Sequence, residues 1–199
     1  MCKNKFPLIF VEQKQIENNK ENNIMANWNL DTAHSEIEFK VKHMMISTVK
    51  GHFENFNVNV ENSEDVLDAA KHVSVEIKAD SINTKNSQRD QHLKSEDFFA
   101  VSQFPDIKFV STGIEKVDDD EFKLTGDLTI KDVTKPVTFE VEFGGIGKDP
   151  WGNQKAGYTV TGKINRNDFG LTWNAALETG GVMVSEDVKF QADLQFVLA

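Results

Sequence analysis

Asp187-Val188-Lys189-Phe190-Gln191-Ala192-Asp193-Leu194-Gln195-Phe196-Val197-Leu198 alternates apolar and polar side chains almost from end to end. A period of two places Val188, Phe190, Ala192, Leu194, Phe196 and Leu198 on one face of a strand. Asp187, Lys189, Gln191, Asp193 and Gln195 take the other face. A helix, at about 3.6 residues per turn, would scatter both sets around its circumference. Working back along the chain, the same period recurs at Ile37, Phe39 and Val41, at Phe56, Val58 and Val60, and at Val73, Val75 and Ile77. It returns at Phe122, Leu124, Leu128 and Ile130, and at Val137, Phe139, Val141 and Phe143. Two weaker runs carry Ile107 with Phe109, and Tyr158 with Val160 and Ile164.

Turn chemistry separates these runs, at Val117 to Asp120, Asp132 to Pro136 and Gly144 to Gly152. Connections this short imply antiparallel neighbours. The expectation is an all-β fold of about eight antiparallel strands. Each has one apolar face, so the sheet must close into a barrel or double over as a sandwich; periodicity alone leaves both open. Two segments break the pattern. Asn62 to Lys71 suits one or two helical turns, and Ser81 to Pro105 is the largest insert without strand character. Within the insert, Ser87 with Asp90 three residues on resembles a capping box opening a short helix. Ser95 before Glu96-Asp97-Phe98-Phe99 looks like a second cap.

A chain of 199 residues with 39% hydrophobic and 27% charged residues suits one ordinary globular domain. Its net charge of -10 argues against nucleic acid, which demands a basic face. Lysines such as Lys3 and Lys5 are too sparse to read as a membrane-surface patch. The single Cys2 excludes an intrachain disulfide and a cysteine-rich zinc site. His34, His43 and His52 recur every nine residues without any HxH, HxxxH or HExxH spacing, so neither a metal site nor a cofactor is expected. No Gly-x-Ser-x-Gly elbow occurs, and no residue is assigned a catalytic role.

Residues 1–26 read as a disordered extension, with the domain running from 27 to 199 and Met25 an alternative start. The apolar run Phe6 to Val11 falls short of the ~7–15 residues of an export-signal core and of the ~18 that span a bilayer. A short membrane-touching tail is the competing reading. The expected compartment is the cytoplasm, without stable membrane insertion.

Several stretches, in order, resemble the YceI family: Trp28-Asn29-Leu30-Asp31-Thr32-Ala33-His34-Ser35, then Arg89-Asp90-Gln91-His92-Leu93-Lys94-Ser95-Glu96-Asp97-Phe98-Phe99 with Phe104-Pro105-Asp106-Ile107-Lys108-Phe109 after it. Leu128-Thr129-Ile130-Lys131-Asp132-Val133-Thr134-Lys135-Pro136-Val137 and Asn165-Arg166-Asn167-Asp168-Phe169-Gly170-Leu171 match further on. The resemblance covers Trp28 to Ala199. It implies a lipocalin-like barrel of eight antiparallel strands with a short helical insert, and binding of a polyisoprenoid or other long-chain lipid inside it. It supplies no catalytic residue.

On that basis the candidate ligand-binding residues are the inward row. They are Phe39, Val41, Phe56, Val58 and Val75 in the first half of the chain, and Phe109, Phe122, Leu124, Phe139, Val141, Val160, Phe190 and Phe196 in the second. Periodicity by itself reads these as a dry core; the resemblance turns them into a lumen. Arg89 and His92 of the insert join them, because a forked guanidinium at a barrel mouth suits a phosphate or quinone oxygen. The competing reading is an Arg89–Asp90 clamp holding the insert on the rim, and Arg166 with Asp168 reads the same way. The expected function is non-catalytic transport or storage of a lipid. An enzyme working through the Arg89–His92 insert and a filled-barrel interaction module are the alternatives; a homodimer is compatible with all three readings.

Overall fold

The computed structural model describes residues 28–62, 70–178 and 180–199. In chain order the strands are β1 (Trp28–Leu30), β2 (Glu36–His43), β3 (Ser47–Phe53), β4 (Phe56–Asn62), β5 (Ala70–Lys78) and β6 (Ile82–Asn83). After helix α1 (Ser87–Lys94) come β7 (Asp106–Lys116), β8 (Glu121–Ile130), β9 (Val133–Lys148), β10 (Gln154–Asn165) and β11 (Val184–Leu198). All pair antiparallel in one sheet ordered β4-β5-β7-β8-β9-β10-β11-β2-β3-β6, and β1 pairs with the end of β11.

Every alternating run of the sequence lies in one of these strands; three further strands lack the signal. β1 and β6 have three and two residues, too few to show a period. In β3 the inward positions are Val49, Gly51 and Phe53, and the glycine interrupts the apolar alternation. Gly51 faces Phe39 across the β2–β3 ladder, and a methyl group there would run into the Phe39 ring. The strand therefore gives up its pattern to seat a neighbour's aromatic side chain.

The wall curves until β1 packs beside β4. Bulges between Ser111 and Gly113, Gly157 and Tyr158, and Val184 and Val188 add local bend. No ladder joins β4 to β1, β3 or β6 among the described residues. The fold is thus a half-barrel, closed by packing at one end and open in its hydrogen bonding.

Helix α1 starts one residue earlier than the Ser87 cap expected from sequence. Asn86 is the cap, its side-chain oxygen accepting from Arg89 N at 3.0 Å. Ser95 ends α1 instead of opening a second helix: its N–H and hydroxyl both donate to the His92 carbonyl. The turns expected within Asn62 to Lys71 fall mostly on residues 63–69, outside the described residues, while Ala70 already begins β5. The expected extension over 1–26 also lies outside them.

Candidate ligand-binding cavity

The inward rows meet in an apolar cavity of ≈ 240 Å³. Phe39 and Val41 of β2, Val58 of β4 and Val75 of β5 border it. Phe109, Leu124, Phe139, Val160 and Phe190 border it from β7 to β11, where Phe109 pairs with Val75 and Phe190 with Phe39. A smaller chamber of ≈ 40 Å³ continues past Val58, Leu124 and Val160 and is lined there by Val141 and Phe196. Trp28 and Tyr158 also line that chamber, and the buried indole N–H of Trp28 has no acceptor among the described residues. Of the expected row, Phe122 is buried but borders neither space, and Phe56 borders a separate groove beside Thr32 and His34.

At its other end the cavity meets a vestibule of ≈ 770 Å³ between α1 and the β2–β3 hairpin. Phe39, Val41, Leu93 and Phe98 belong to both spaces; Arg89, His92, His43 and Trp173 line only the vestibule. Arg89 Nε donates to the Thr84 hydroxyl at 2.7 Å, and Nη2 donates to the Thr84 carbonyl at 2.8 Å. Asp90 accepts from the Thr84 N–H and hydroxyl at 2.9 and 2.5 Å. The two residues clamp α1 to Thr84 and not to each other. His92 Nε2 lies 2.9 Å from the Asp97 carboxylate, and its ring meets Phe98 and Trp173 edge-on. Both insert residues therefore hold the rim together as well as facing the vestibule.

Arg166 departs from its expected pairing with Asp168. It is 3% exposed, and its guanidinium donates to the carbonyls of Leu171, Trp173, Val184 and Ser185. Burial lowers its pKa, with Glu186 opposing the shift. Four carbonyls spread over two segments outweigh one nearby carboxylate, because a buried guanidinium needs several acceptors.

Sequence reasoning omitted several lining residues. Ile37, Ile77, Ile107, Leu128, Val188 and Leu194 share the alternation already used and were legible in it. Leu93, Phe98, Phe99 and Leu171 come from segments without strand period, and only the tertiary fold turns them toward the cavity.

The model of the YceI-like domain matches residues 28–196, nearly all of the described chain. The chain belongs to the YceI family. A UPF0312 protein of Staphylococcus aureus (strain MSSA476) is 47% identical over 176 residues, covering 88% of this chain and 99% of that one. The solved YCEI protein of Campylobacter jejuni is 34% identical with a TM-score of 0.69, covering 88% and 99%. A polyisoprenoid binding domain from Saccharophagus degradans has a TM-score of 0.65 at 14% identity, covering 87% and 99%, which is a likeness of fold. Among the described residues of this YceI chain, no helix is long and apolar enough to cross a membrane. Nor, among them, do three metal-ligating side chains gather.

Proposed function

We propose that this YceI-family chain carries or stores a long-chain amphipathic lipid, a polyisoprenoid in the first instance, and does not transform it. The observation behind this reading is the junction of two spaces: a cavity walled by apolar side chains, opening into a vestibule that bears Arg89, His92 and His43. An amphipath has the same division between tail and head. Each buried methylene gains about 0.8 kcal/mol, so a tail of ~20 carbons offers ~16 kcal/mol gross against association costs of ~4–15 kcal/mol. Tail burial alone can thus hold the ligand. The Saccharophagus degradans domain, described as polyisoprenoid binding, supports the same choice of ligand.

The hydrogen bonds that occupy Arg89 and His92 at the rim speak against an enzyme built on the insert, and the cavity speaks against a filled-barrel interaction module. The proposal keeps the cytoplasm as compartment, which fractionation of expressing cells tests. The decisive experiment is mass spectrometry of an organic extract of the purified protein, run beside Phe139→Asp and Glu140→Lys. Phe139 lines the cavity and Glu140, its neighbour, faces outward. A long-chain lipid retained by wild type and Glu140→Lys but lost from Phe139→Asp is expected; empty wild-type protein that also takes up no added polyprenol would overturn the reading.

A further inference from the structure

The β2–β3 hairpin ends in an apolar turn at the rim of the vestibule. His43 and Ser47, which flank the turn, line that space. Between them, Met45 is 67% and Ile46 82% exposed, with Met44 and Val182 beside them also exposed. Met44 and Met45 hold φ of 52° and 60°, backbone that asparagine or glycine occupies at less cost. Strain of this kind persists where the surroundings or the function demand it. A hydrogen bond from Met44 N to the Met183 carbonyl ties the turn to the neighbouring loop.

A second feature lies on the outer face of the same end. Register aligns Lys163 of β10, Lys189 of β11, Lys40 of β2 and Lys50 of β3 in one row across four adjacent strands. Lys42 lies one outward position nearer the turn. Like charges set directly opposite destabilise a sheet, so the row runs against stability. Asp187 pairs with Lys163 at 3.0 Å and Glu38 approaches Lys40 at 3.8 Å; Lys42, Lys50 and Lys189 make no ion pair among the described residues. This is a basic band on a chain of net charge -10. Its members are spread from residue 40 to 189, which is why the sequence shows no patch.

We propose that this end is a docking surface for an anionic phospholipid bilayer, with the Met44–Met45–Ile46 turn entering the interface and the lysine row facing the headgroups. An apolar tip flanked by lysines is the chemistry that a negatively charged membrane surface takes up. The arrangement would bring the vestibule to the bilayer, and it rests on the reading that the cavity takes a membrane lipid. Trp151, also exposed, lies on the β9–β10 turn at the far end and has no part in it.

Flotation with vesicles of equal phosphatidylglycerol and phosphatidylcholine, and of phosphatidylcholine alone, tests the proposal on the whole chain. Wild type is expected to float with the anionic vesicles and to lose most of that binding in ~1 M salt. M45S/I46S should lower binding at least tenfold. K50E/K189E should lower it further on anionic vesicles, since each surface lysine contributes about fivefold, while relieving repulsion within the row. W151S should float as wild type does. Uptake of a fluorescent polyprenol from dilute detergent, with thermal melts, is measured on every variant. Uptake without flotation of the wild type overturns the docking and spares the lipid reading; flotation without uptake does the reverse. Flotation unaffected by M45S/I46S, or lost in W151S, overturns it as well. So does a wild type that binds duplex DNA but no vesicle, or one whose tip variant only converts a dimer to a monomer.

Discussion

Gly162 shows how single residues keep the cavity open. It faces Phe190 in register across β10 and β11, and a methyl group there would stand 2.5 Å from that ring and 2.7 Å from Phe139. Both rings line the cavity. Gly162→Ala must therefore drive aromatic side chains into the lumen, at a cost of about 1–3 kcal/mol. Lipid uptake should fall with the melting temperature, whereas Gly157→Ala, with open space around it in the same strand, should leave both unchanged. Equal titration curves for the two variants would refute the role given to Gly162. Arg166 carries a larger load. Removing its guanidinium in Arg166→Met leaves four carbonyls to find water, for a loss of about 3 kcal/mol. That corresponds to roughly 6–12 °C in a domain of this size. Arg166→Lys should not restore the loss, because an ammonium has three donors and no planar fork. Thermal melts of the two variants check this.

Between elements, two polar latches hold the rim and the closed end. Thr84 follows β6, and Arg89 and Asp90 of α1 both grip it. Arg89→Ala should loosen α1 over the vestibule. Because the guanidinium is committed to Thr84, binding of a pyrophosphate-headed prenyl lipid and of the same tail as an alcohol should weaken together. Selective loss of the charged ligand in paired titrations would instead assign Arg89 to the headgroup. At the other end, Lys155 of β10 donates to Asp31, just after β1, at 2.6 Å. That hydrogen bond is the main cause of the lowered Asp31 pKa; burial opposes it and His34 adds to it. A carboxyl lowered on folding stabilises the protein above its ordinary value and loses that contribution as pH falls through the lowered one. Asp31→Asn should therefore melt about 2–4 °C below wild type at pH 7, the effect of about 1 kcal/mol. The gap should close as pH drops well below the ordinary 3.8. A gap that persists in acid would show that Asp31 acts through packing and not through its charge.

For the molecule as a whole, the cavity, the inner chamber and the vestibule form a path with a length limit. Each methylene added to a straight-chain alcohol should raise affinity about fourfold while it finds apolar wall. Gains should cease once the tail has filled the chamber lined by Trp28 and Phe196. Competition against a fluorescent lipid with alcohols of rising length measures the break. Affinity that climbs without a plateau would mean that the inner chamber is not the end of the path.

The alternation from Asp187 to Leu198 and its repeats determined the strands and their inward faces, because side-chain direction in a strand depends only on local backbone geometry. Thus Phe139, Phe190 and Leu124 could be placed on the inner face before any pairing was known. Register could not be read in this way. Whether Phe39 stands opposite Gly51, or Lys189 between Lys163 and Lys40, depends on partners far away in the chain. Partners for buried polar groups are equally non-local: Arg166 passes over Asp168, two residues on, for carbonyls as distant as Ser185. Tertiary structure alone decided these, along with the open space at the axis, since a cavity is set by how the side chains of many strands fail to meet.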